Sequence, residues 1–180
     1  MATVAPQEPT AGPSDAPWTY SLRLPNDPRA ARISRVTLRA VLASHGMAEL
    51  TDTAELLTCE LVTNAIRHSD GPAQLRIRHL CESRLRVSIW DTNPTIPAPF
   101  DAPPSRLDRF TALTEAAANL DATSGRGLLI VRLCADNWGG YPLADDLFGI
   151  SGKLLWFELP PTSTLTRSPP DPTRTFPPIG

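Results

Sequence analysis

The stretch ELVTNAIRHS, residues 60–69, decides the fold that we predict for this chain. It forms the second half of a helix that is predicted to begin near Thr51 and to end at the Asp70-Gly71-Pro72 turn. Apolar residues that recur at three- and four-residue steps predict one buried stripe, made of Leu50, Ala54, Leu57, Leu61 and Ala65. We therefore expect this helix to pack on a sheet.

Glu60 and Asn64 lie one turn apart on a neighbouring stripe of the same helix, about 6 Å from each other along the axis. A carboxylate and an amide stacked beside an apolar face can hold a hydrated divalent cation and orient a water molecule. The alternative is that both side chains face solvent on an ordinary amphipathic helix. The spacing alone leaves both interpretations open.

Length and composition narrow the classes of protein. A chain of 180 residues predicts one domain with a substantial core. A net charge of −2 gives no electrostatic case for nucleic acid or an acidic membrane as partner. The three cysteines are far apart and form no C-x-x-C pair, so a zinc site or a disulfide framework is not expected. Without a secretory leader or a membrane-length apolar run, the expected compartment is the cytoplasm.

Composition also divides the chain into segments. Residues 1–17 and the Pro-rich tail at 161–180 lack hydrophobic periodicity, and both are predicted to be disordered. Residues 18–160 are the predicted folded domain. Within it, residues 92–124 open with several prolines and are predicted to form a long, lid-like connection. A weak helix over 106–119 is expected there, with an apolar stripe of Leu107, Phe110, Leu113 and Ala117.

The remaining elements follow from alternation and helical spacing. A helix from Pro28 to about Ser44 is expected to begin at an Asp27 cap, with an apolar face of Ile33, Val36, Leu38, Ala40 and Val41. Alternating runs predict strands over 18–24, 74–80, 84–91, 137–141 and 152–159. The predicted fold is an α/β (α+β) two-layer sandwich, with a mostly antiparallel mixed sheet and helices on one face.

Three of these segments together resemble a known superfamily. They are the E-x-x-x-N helix, the strand that ends at Asp91, and the turn SGRGLLIV at 124–131 that opens a helix. In this order they resemble the GHKL ATP-binding proteins, which have the histidine kinase-like ATPase (Bergerat) fold. The stand-alone anti-sigma factor serine/threonine kinases are the most similar branch. The resemblance covers about residues 18–159 and implies a fold that binds Mg·ATP.

The resemblance implies specific roles for the residues at its motifs. Asn64 is expected to bind Mg²⁺ through its side-chain oxygen, and Glu60 to polarise the attacking water or hydroxyl. Asp91 is expected to accept a hydrogen bond from the amino group of adenine.

The expected phosphate contacts come from the turn before the last helix. Gly125 and Gly127 would let the backbone approach the phosphates, with Arg126 between them as a further candidate contact. Lys153 is the only lysine of the chain and a further candidate for binding the nucleotide.

Two departures from the resemblance concern adenine. Many relatives follow the aspartate with glycines, but here Asp91 is followed by Thr92-Asn93-Pro94. Relatives also carry a threonine that supports the aspartate, at the position where this chain has Leu154. These departures predict weaker adenine recognition beside an intact Mg²⁺–phosphate half.

The function implied by the resemblance is that of an ATP-binding regulatory protein. It would act as an anti-sigma factor, with a sigma factor and an anti-sigma factor antagonist protein as its partners, and would phosphorylate the antagonist on serine or threonine. The alternative is a catalytically weak or inactive module of the same fold that regulates a protein partner. The sequence leaves open whether the chain forms a homodimer.

Overall fold

The computed structural model describes residues 17–80, 84–104, 108–118, 126–143 and 151–160. Apart from Pro17, the predicted disordered termini lie outside these ranges, and so do Gly125 and Leu107. The elements in chain order are β1 (Thr19–Leu24), α1 (Arg29–Ser44), α2 (Thr51–His68), β2 (Ala73–Leu80), β3 (Arg84–Asp91), α3 (Asp108–Ala118), α4 (Arg126–Cys134), β4 (Asn137–Leu143) and β5 (Gly152–Leu159), with a single 3₁₀ turn at Ala48–Leu50.

The five strands form one sheet in the order β1-β2-β3-β5-β4. Every neighbouring pair of described strands is antiparallel, which confirms the predicted two-layer α/β sandwich with a mostly antiparallel sheet. The reason lies in the order of the last two strands. β5 pairs with β3, and β4 takes the outer position, so the long connection between β3 and β4 creates no parallel neighbours.

The core lies between one face of the sheet and the helices. All five residues of the predicted α2 stripe are buried, which confirms that prediction. α2 packs against α1, α4, β2, β3 and β5, and is therefore the central helix of its layer. The opposite face of the sheet carries polar side chains such as the exposed Arg76 and Arg78. None of the described helices is long and apolar enough to cross a membrane.

α1 begins at Arg29 with Pro28 as its N-cap, one residue later than predicted, although Asp27 Oδ1 accepts from the Arg29 N–H at 2.7 Å, and its apolar face is only partly as predicted. The Arg29 side chain and backbone donate hydrogen bonds that lower the pKa of the Asp27 carboxyl to about 2. Leu38 and Val41 are buried as predicted, but Ile33 and Val36 are 49 % and 64 % exposed, contrary to the prediction. The buried face contains Ser34, because its hydroxyl donates to the Ala30 carbonyl at 2.8 Å and so leaves no unsatisfied donor in the core.

The predicted apolar stripe of α3 is exposed to solvent and does not face the core. Phe110 is 72 % and Leu113 57 % exposed, whereas the small Ala112 is fully buried. α3 is joined to α4 by a salt bridge between Glu115 and the buried Arg132. α3 therefore packs through the Glu115 salt bridge and the buried Ala112, and its large residues Phe110 and Leu113 face solvent.

The segment after β3 is irregular, as its prolines predict, but it is anchored. Phe100 is fully buried, and its ring centroid lies 4.7 Å from that of Trp138 in β4. The cis peptide bond between Ala98 and Pro99 precedes this anchor. The predicted lid thus opens with a stretch that is part of the core.

Candidate functional site

The burial of α2 fixes where Glu60 and Asn64 point. Its apolar stripe is in the core, so the neighbouring stripe lies at the border between core and solvent. Glu60 and Asn64 are both half-buried there. Neither of the two extremes, full burial or a solvated face, describes them, and both side chains remain accessible to a ligand at this border.

A small cavity opens beside Asn64. Its volume is about 170 Å³, and the described residues around it are Asn64, His68, Asn93, Thr95, Pro97 and Lys153. Ordinary ligand pockets measure roughly 300–1,000 Å³, so a whole nucleotide would extend beyond this cavity. The cavity nevertheless brings together two residues that the sequence assigned to the nucleotide, Asn64 of α2 and Lys153 of β5.

Side-chain hydrogen bonds shape the turn after β3, where relatives carry glycines. The Asn93 backbone N–H donates to Asp91 Oδ1 at 2.9 Å, and the Thr95 N–H donates to Asn93 Oδ1 at 2.9 Å. The Asn93 Nδ2 donates to the His68 carbonyl at 2.6 Å and so ties this turn to the end of α2. Successive Asx turns therefore curve the chain without glycine.

Asp91 and Lys153 form a buried ion pair at the cavity end. Lys153 Nζ lies 2.9 Å from Asp91 Oδ1, and both side chains are only 2 % exposed. The same ammonium group donates to the Asn93 carbonyl at 3.2 Å. Isolated buried charges are costly, and this pairing with hydrogen bonds is what makes them tolerable.

The register of β3 with β5 overturns the expectation about Leu154. Asp91 lies opposite Lys153, and Trp90 lies opposite Leu154. Because side chains alternate across a strand, Leu154 points to the helix-free face, where it lines a depression with Trp90 and Tyr141. The residue that supports Asp91 is therefore Lys153, and Leu154 does not bear on that carboxylate.

The first turn of α4 lies against Glu60. A Cβ atom built on Gly127 would overlap Glu60 Oε2, so only glycine leaves the carboxylate its place. Arg126, the first described residue of α4, is exposed. Gly125 lies outside the described residues, so its predicted phosphate contact stays a prediction.

The predicted residues thus fall into two groups along α2. Glu60 meets Gly127 near the middle of α2, while Asn64, one turn later, shares a cavity with Lys153, whose ion-pair partner is Asp91. Sequence reasoning missed Asn93 and Thr95, which build the turn and line the cavity. The alternation of Asp and Asn before a proline is the signal that predicts such a turn.

The oxygen atoms on α2 suit Mg²⁺ better than a metal ion whose ligands all come from the protein. No group of three or more His, Cys, Asp or Glu that could hold a metal occurs among the described residues. Mg²⁺ usually keeps several waters and takes one or two protein oxygens together with substrate phosphates. The Asn64 amide fits that mode, and Gly127 lets the Glu60 carboxylate lie against the first turn of α4.

Comparison with known families agrees with this arrangement. The profile of the histidine kinase-like ATPase domain matches residues 24–139, about two thirds of the chain. The chain belongs to the histidine kinase-like ATPase domain family. The superfamily predicted from the motifs is therefore confirmed. A comparison with curated proteins gives no match.

Histidine kinase-like ATPase domains bind ATP, typically with Mg²⁺. The matched residues include Glu60, Asn64, Asp91 and Gly127. The matched residues end before β5. Lys153 therefore lies outside the family match, whereas its ion-pair partner Asp91 lies inside it.

Proposed function

We propose that this histidine kinase-like ATPase domain is an ATP-dependent serine/threonine protein kinase with anti-sigma factor activity. The observation that carries the proposal is the order of groups along α2. Glu60 lies against the first turn of α4, and Asn64 follows one turn later on the wall of the cavity. A metal ligand and an acceptor for a hydroxyl proton are thus held about 6 Å apart on one rigid helix.

The two α2 residues would divide the chemistry between them. Mg²⁺, when bound through the Asn64 oxygen, neutralises charge on the phosphates of the substrate ATP. Glu60 would accept the proton of a serine or threonine hydroxyl as its oxygen attacks the γ-phosphorus. The new bond is oxygen to γ-phosphorus, the broken bond joins that phosphorus to the β–γ bridging oxygen, and ADP leaves.

The identity of the partners rests on the resemblance alone. The motifs ELVTNAIRHS and SGRGLLIV resemble those of the anti-sigma factor kinase branch. By that resemblance the protein would act in the cytoplasm, bind a sigma factor, and phosphorylate an antagonist protein that releases it. Such partner switching regulates transcription without direct contact between this chain and DNA.

Calorimetric binding of Mg·ATP to the full chain tests the site before any partner is identified. We expect binding to the wild type, and at least a tenfold loss of affinity in Asn64→Ala, because Mg²⁺ loses its protein oxygen. Thr63→Ala is the matched control on the same turn of α2 and should bind like the wild type. Equal Mg·ATP affinities in the wild type and Asn64→Ala would show that Asn64 does not bind the metal–nucleotide complex.

A catalytically inactive binding module is the second candidate. The small cavity favours it, because a whole nucleotide would extend beyond a cavity of about 170 Å³. Transfer of labelled phosphate from ATP to a cognate antagonist separates the two functions. A kinase transfers label in the wild type and fails to do so in Glu60→Gln, whereas a binding module gives no transfer in either protein.

A further inference from the structure

The face of the sheet that carries no helix is divided into a basic half and an aromatic half. Side chains alternate across each strand, so this face is formed by the residues that do not point into the core. On β1 and β2 it carries three exposed arginines, which are Arg23, Arg76 and Arg78. On β3, β5 and β4 it carries large aromatic or apolar side chains, which are Trp90, Leu154, Trp156 and Tyr141.

The arginines of the basic half are not neutralised within the described part of the chain. No described carboxylate lies within ion-pair distance of Arg23, Arg76 or Arg78. Arg78 also lies directly opposite Arg86 of β3, and like charges in directly opposed positions destabilise a sheet. Arg86 has Glu158 as its ion-pair partner, so the excess charge is that of the exposed arginines. Positive charge thus accumulates on one face of a chain whose net charge is −2.

The aromatic half differs from an ordinary solvated sheet face. Such a face carries polar side chains that alternate with core residues. Here Trp90, Leu154 and Trp156 are only partly buried, and Tyr141 is 47 % exposed. The guanidinium of Arg86 lies over the Trp156 ring, 4.3 Å from its centroid. Tryptophan, tyrosine and arginine are the residues that dominate binding energy at protein–protein interfaces, so this face has the composition of an interface.

Two adjoining depressions cross the face. The larger, of about 640 Å³, has Arg23 in its lining, and the smaller, of about 310 Å³, has Arg76 and Tyr141. Gln74 and Trp90 line both, and we call the two together the sheet groove. Each volume lies within the range of ordinary ligand pockets, roughly 300–1,000 Å³. The sheet groove thus runs from arginines near β1 to apolar side chains near β4.

We propose that the sheet groove binds an acidic segment of another protein. Its carboxylates would pair with Arg23 and Arg76, and an apolar side chain would lie beside Trp90 and Tyr141. Neighbouring strands lie about 4.8 Å apart and an extended chain rises about 3.3 Å per residue, so about six residues span the five strands. The groove lies on the face of the sheet opposite α2, and the inference is independent of the nucleotide site.

Charge decides between this occupant and two others. A second copy of the chain would bring the same exposed arginines to an identical face, where like charges oppose association. A nucleic acid carries a charge on every phosphate, and a chain with a net charge of −2 gives it no long-range attraction. A short acidic segment needs only two or three carboxylates at the basic half, and its apolar residues suit the aromatic half.

A labelled peptide tests the groove in the full chain without nucleotide. The probe is a fluorescein-labelled hexapeptide of three glutamates followed by three leucines, and its control has three lysines in place of the glutamates. By fluorescence anisotropy we expect the glutamate peptide to bind at least about tenfold more tightly than the lysine peptide, because only its charges pair with the arginines. Its Kd should rise at least about threefold between about 0.05 M and about 0.3 M salt, because salt screens exposed pairs. Equal affinities of the two peptides would overturn the inference.

Variants locate the binding on the molecule. Arg23→Gln/Arg76→Gln should raise the Kd of the glutamate peptide at least about fivefold, with the fold verified by circular dichroism. Arg32→Gln/Arg35→Gln removes two exposed charges from α1 and is the matched control, since it changes the net charge equally and should leave the Kd within about twofold. Tyr141→Ser should raise the Kd at least about threefold, because an aromatic contact is lost. Equal losses in the two arginine pairs would show a response to net charge alone and would overturn the site.

Other occupants give distinct results. A labelled thymidine hexanucleotide that binds as tightly as the glutamate peptide would assign the groove to nucleic acid. A dimer in sedimentation equilibrium that Arg23→Gln/Arg76→Gln dissociates would assign it to a second copy, and either result overturns the acidic segment. The proposed function is tested separately, because Arg23→Gln/Arg76→Gln should bind Mg·ATP like the wild type. Mg·ATP binding without peptide binding refutes this inference alone, and peptide binding without Mg·ATP binding supports it while refuting the proposed function.

Discussion

At the scale of single residues, Gly127 lets the Glu60 carboxylate lie against the first turn of α4. A side chain there would overlap Oε2 of Glu60. The overlap involves the far end of a flexible side chain, so Gly127→Ala should displace the carboxylate and leave the backbone in place. We expect the free energy of unfolding in urea to fall by about 1 kcal/mol, the lower end of the cost of overpacking.

The same substitution in a Glu60→Ala background is the matched control. With the carboxylate gone, alanine should instead raise the free energy of unfolding by up to about 1 kcal/mol, because alanine favours a helix over glycine. A double-mutant cycle measures this change of sign. Identical effects of Gly127→Ala in both backgrounds would show that the glycine does not serve Glu60.

The buried pair of Asp91 and Lys153 is costly to keep for stability alone. Removing one partner of such a pair costs roughly 3–5 kcal/mol, yet replacing both by apolar residues is often neutral. Stability therefore does not require a lysine at this position. A role at the cavity wall, which Lys153 lines, gives a reason for an ionic pair where a hydrophobic one would suffice.

At the scale of elements, the exposed face of α3 gives a direct test of the fold. Phe110 and Leu113 are 72 % and 57 % exposed, although helical spacing predicted that they were buried. The double variant Phe110→Ser/Leu113→Ser should change the free energy of unfolding by no more than about 0.5 kcal/mol per site, the usual range for surface positions. Thermal denaturation of the full chain measures it.

Ala112 is the contrasting position on the same helix, because it is fully buried. Ala112→Leu should destabilise by about 1–3 kcal/mol, since the packed interface has no room for three more carbons. If the serine pair costs more than the leucine, α3 packs by the face that the sequence predicted, and the described orientation is wrong.

The elements also show which sequence signals determine the structure. The α2 stripe was predictable, because a long helix between neighbours on several sides needs a continuous apolar face. The face of α1 was predictable only in part, at Leu38 and Val41, and that of α3 was not, because Ser34 and Ala112 are small and let the helices approach closely. Ser34 can be buried only because its hydroxyl bonds within its own helix, a contact that the hydrophobic pattern does not contain.

At the scale of the whole molecule, the site depends on the order of the strands. β5 pairs with β3 as well as with its nearest predecessor β4, and this brings Lys153 to Asp91 across 62 positions of the chain. No local pattern predicts which strands become neighbours. A shift of one residue along a strand also moves a side chain to the other face of the sheet. The resemblance placed the residue that supports Asp91 at position 154, but that side chain lies on the opposite face, and the supporting residue is at position 153.

Ligand binding should be visible in the stability of the whole domain. A ligand that binds only the folded state stabilises it by about 2.7 kcal/mol at one hundred times its Kd. For a domain of roughly 150 residues, each kcal/mol raises Tm by about 2–4 °C, so Mg·ATP should raise Tm by roughly 5–11 °C. The increase in Tm should require Mg²⁺, because Mg²⁺ is the ion that would link the ATP phosphates to the Asn64 oxygen.

The Asn64→Ala variant separates the metal from the rest of the site. Its Tm without ligand should stay close to that of the wild type, because Asn64 is half-buried at the border of the core. Its Tm should rise less when Mg·ATP is added. The stabilisation free energy from the ligand should be smaller than in the wild type by about 1.4 kcal/mol or more, the equivalent of a tenfold loss of affinity. Differential scanning fluorimetry with and without EDTA measures both quantities. An undiminished increase in the variant would mean that the nucleotide stabilises the domain without a metal held at Asn64.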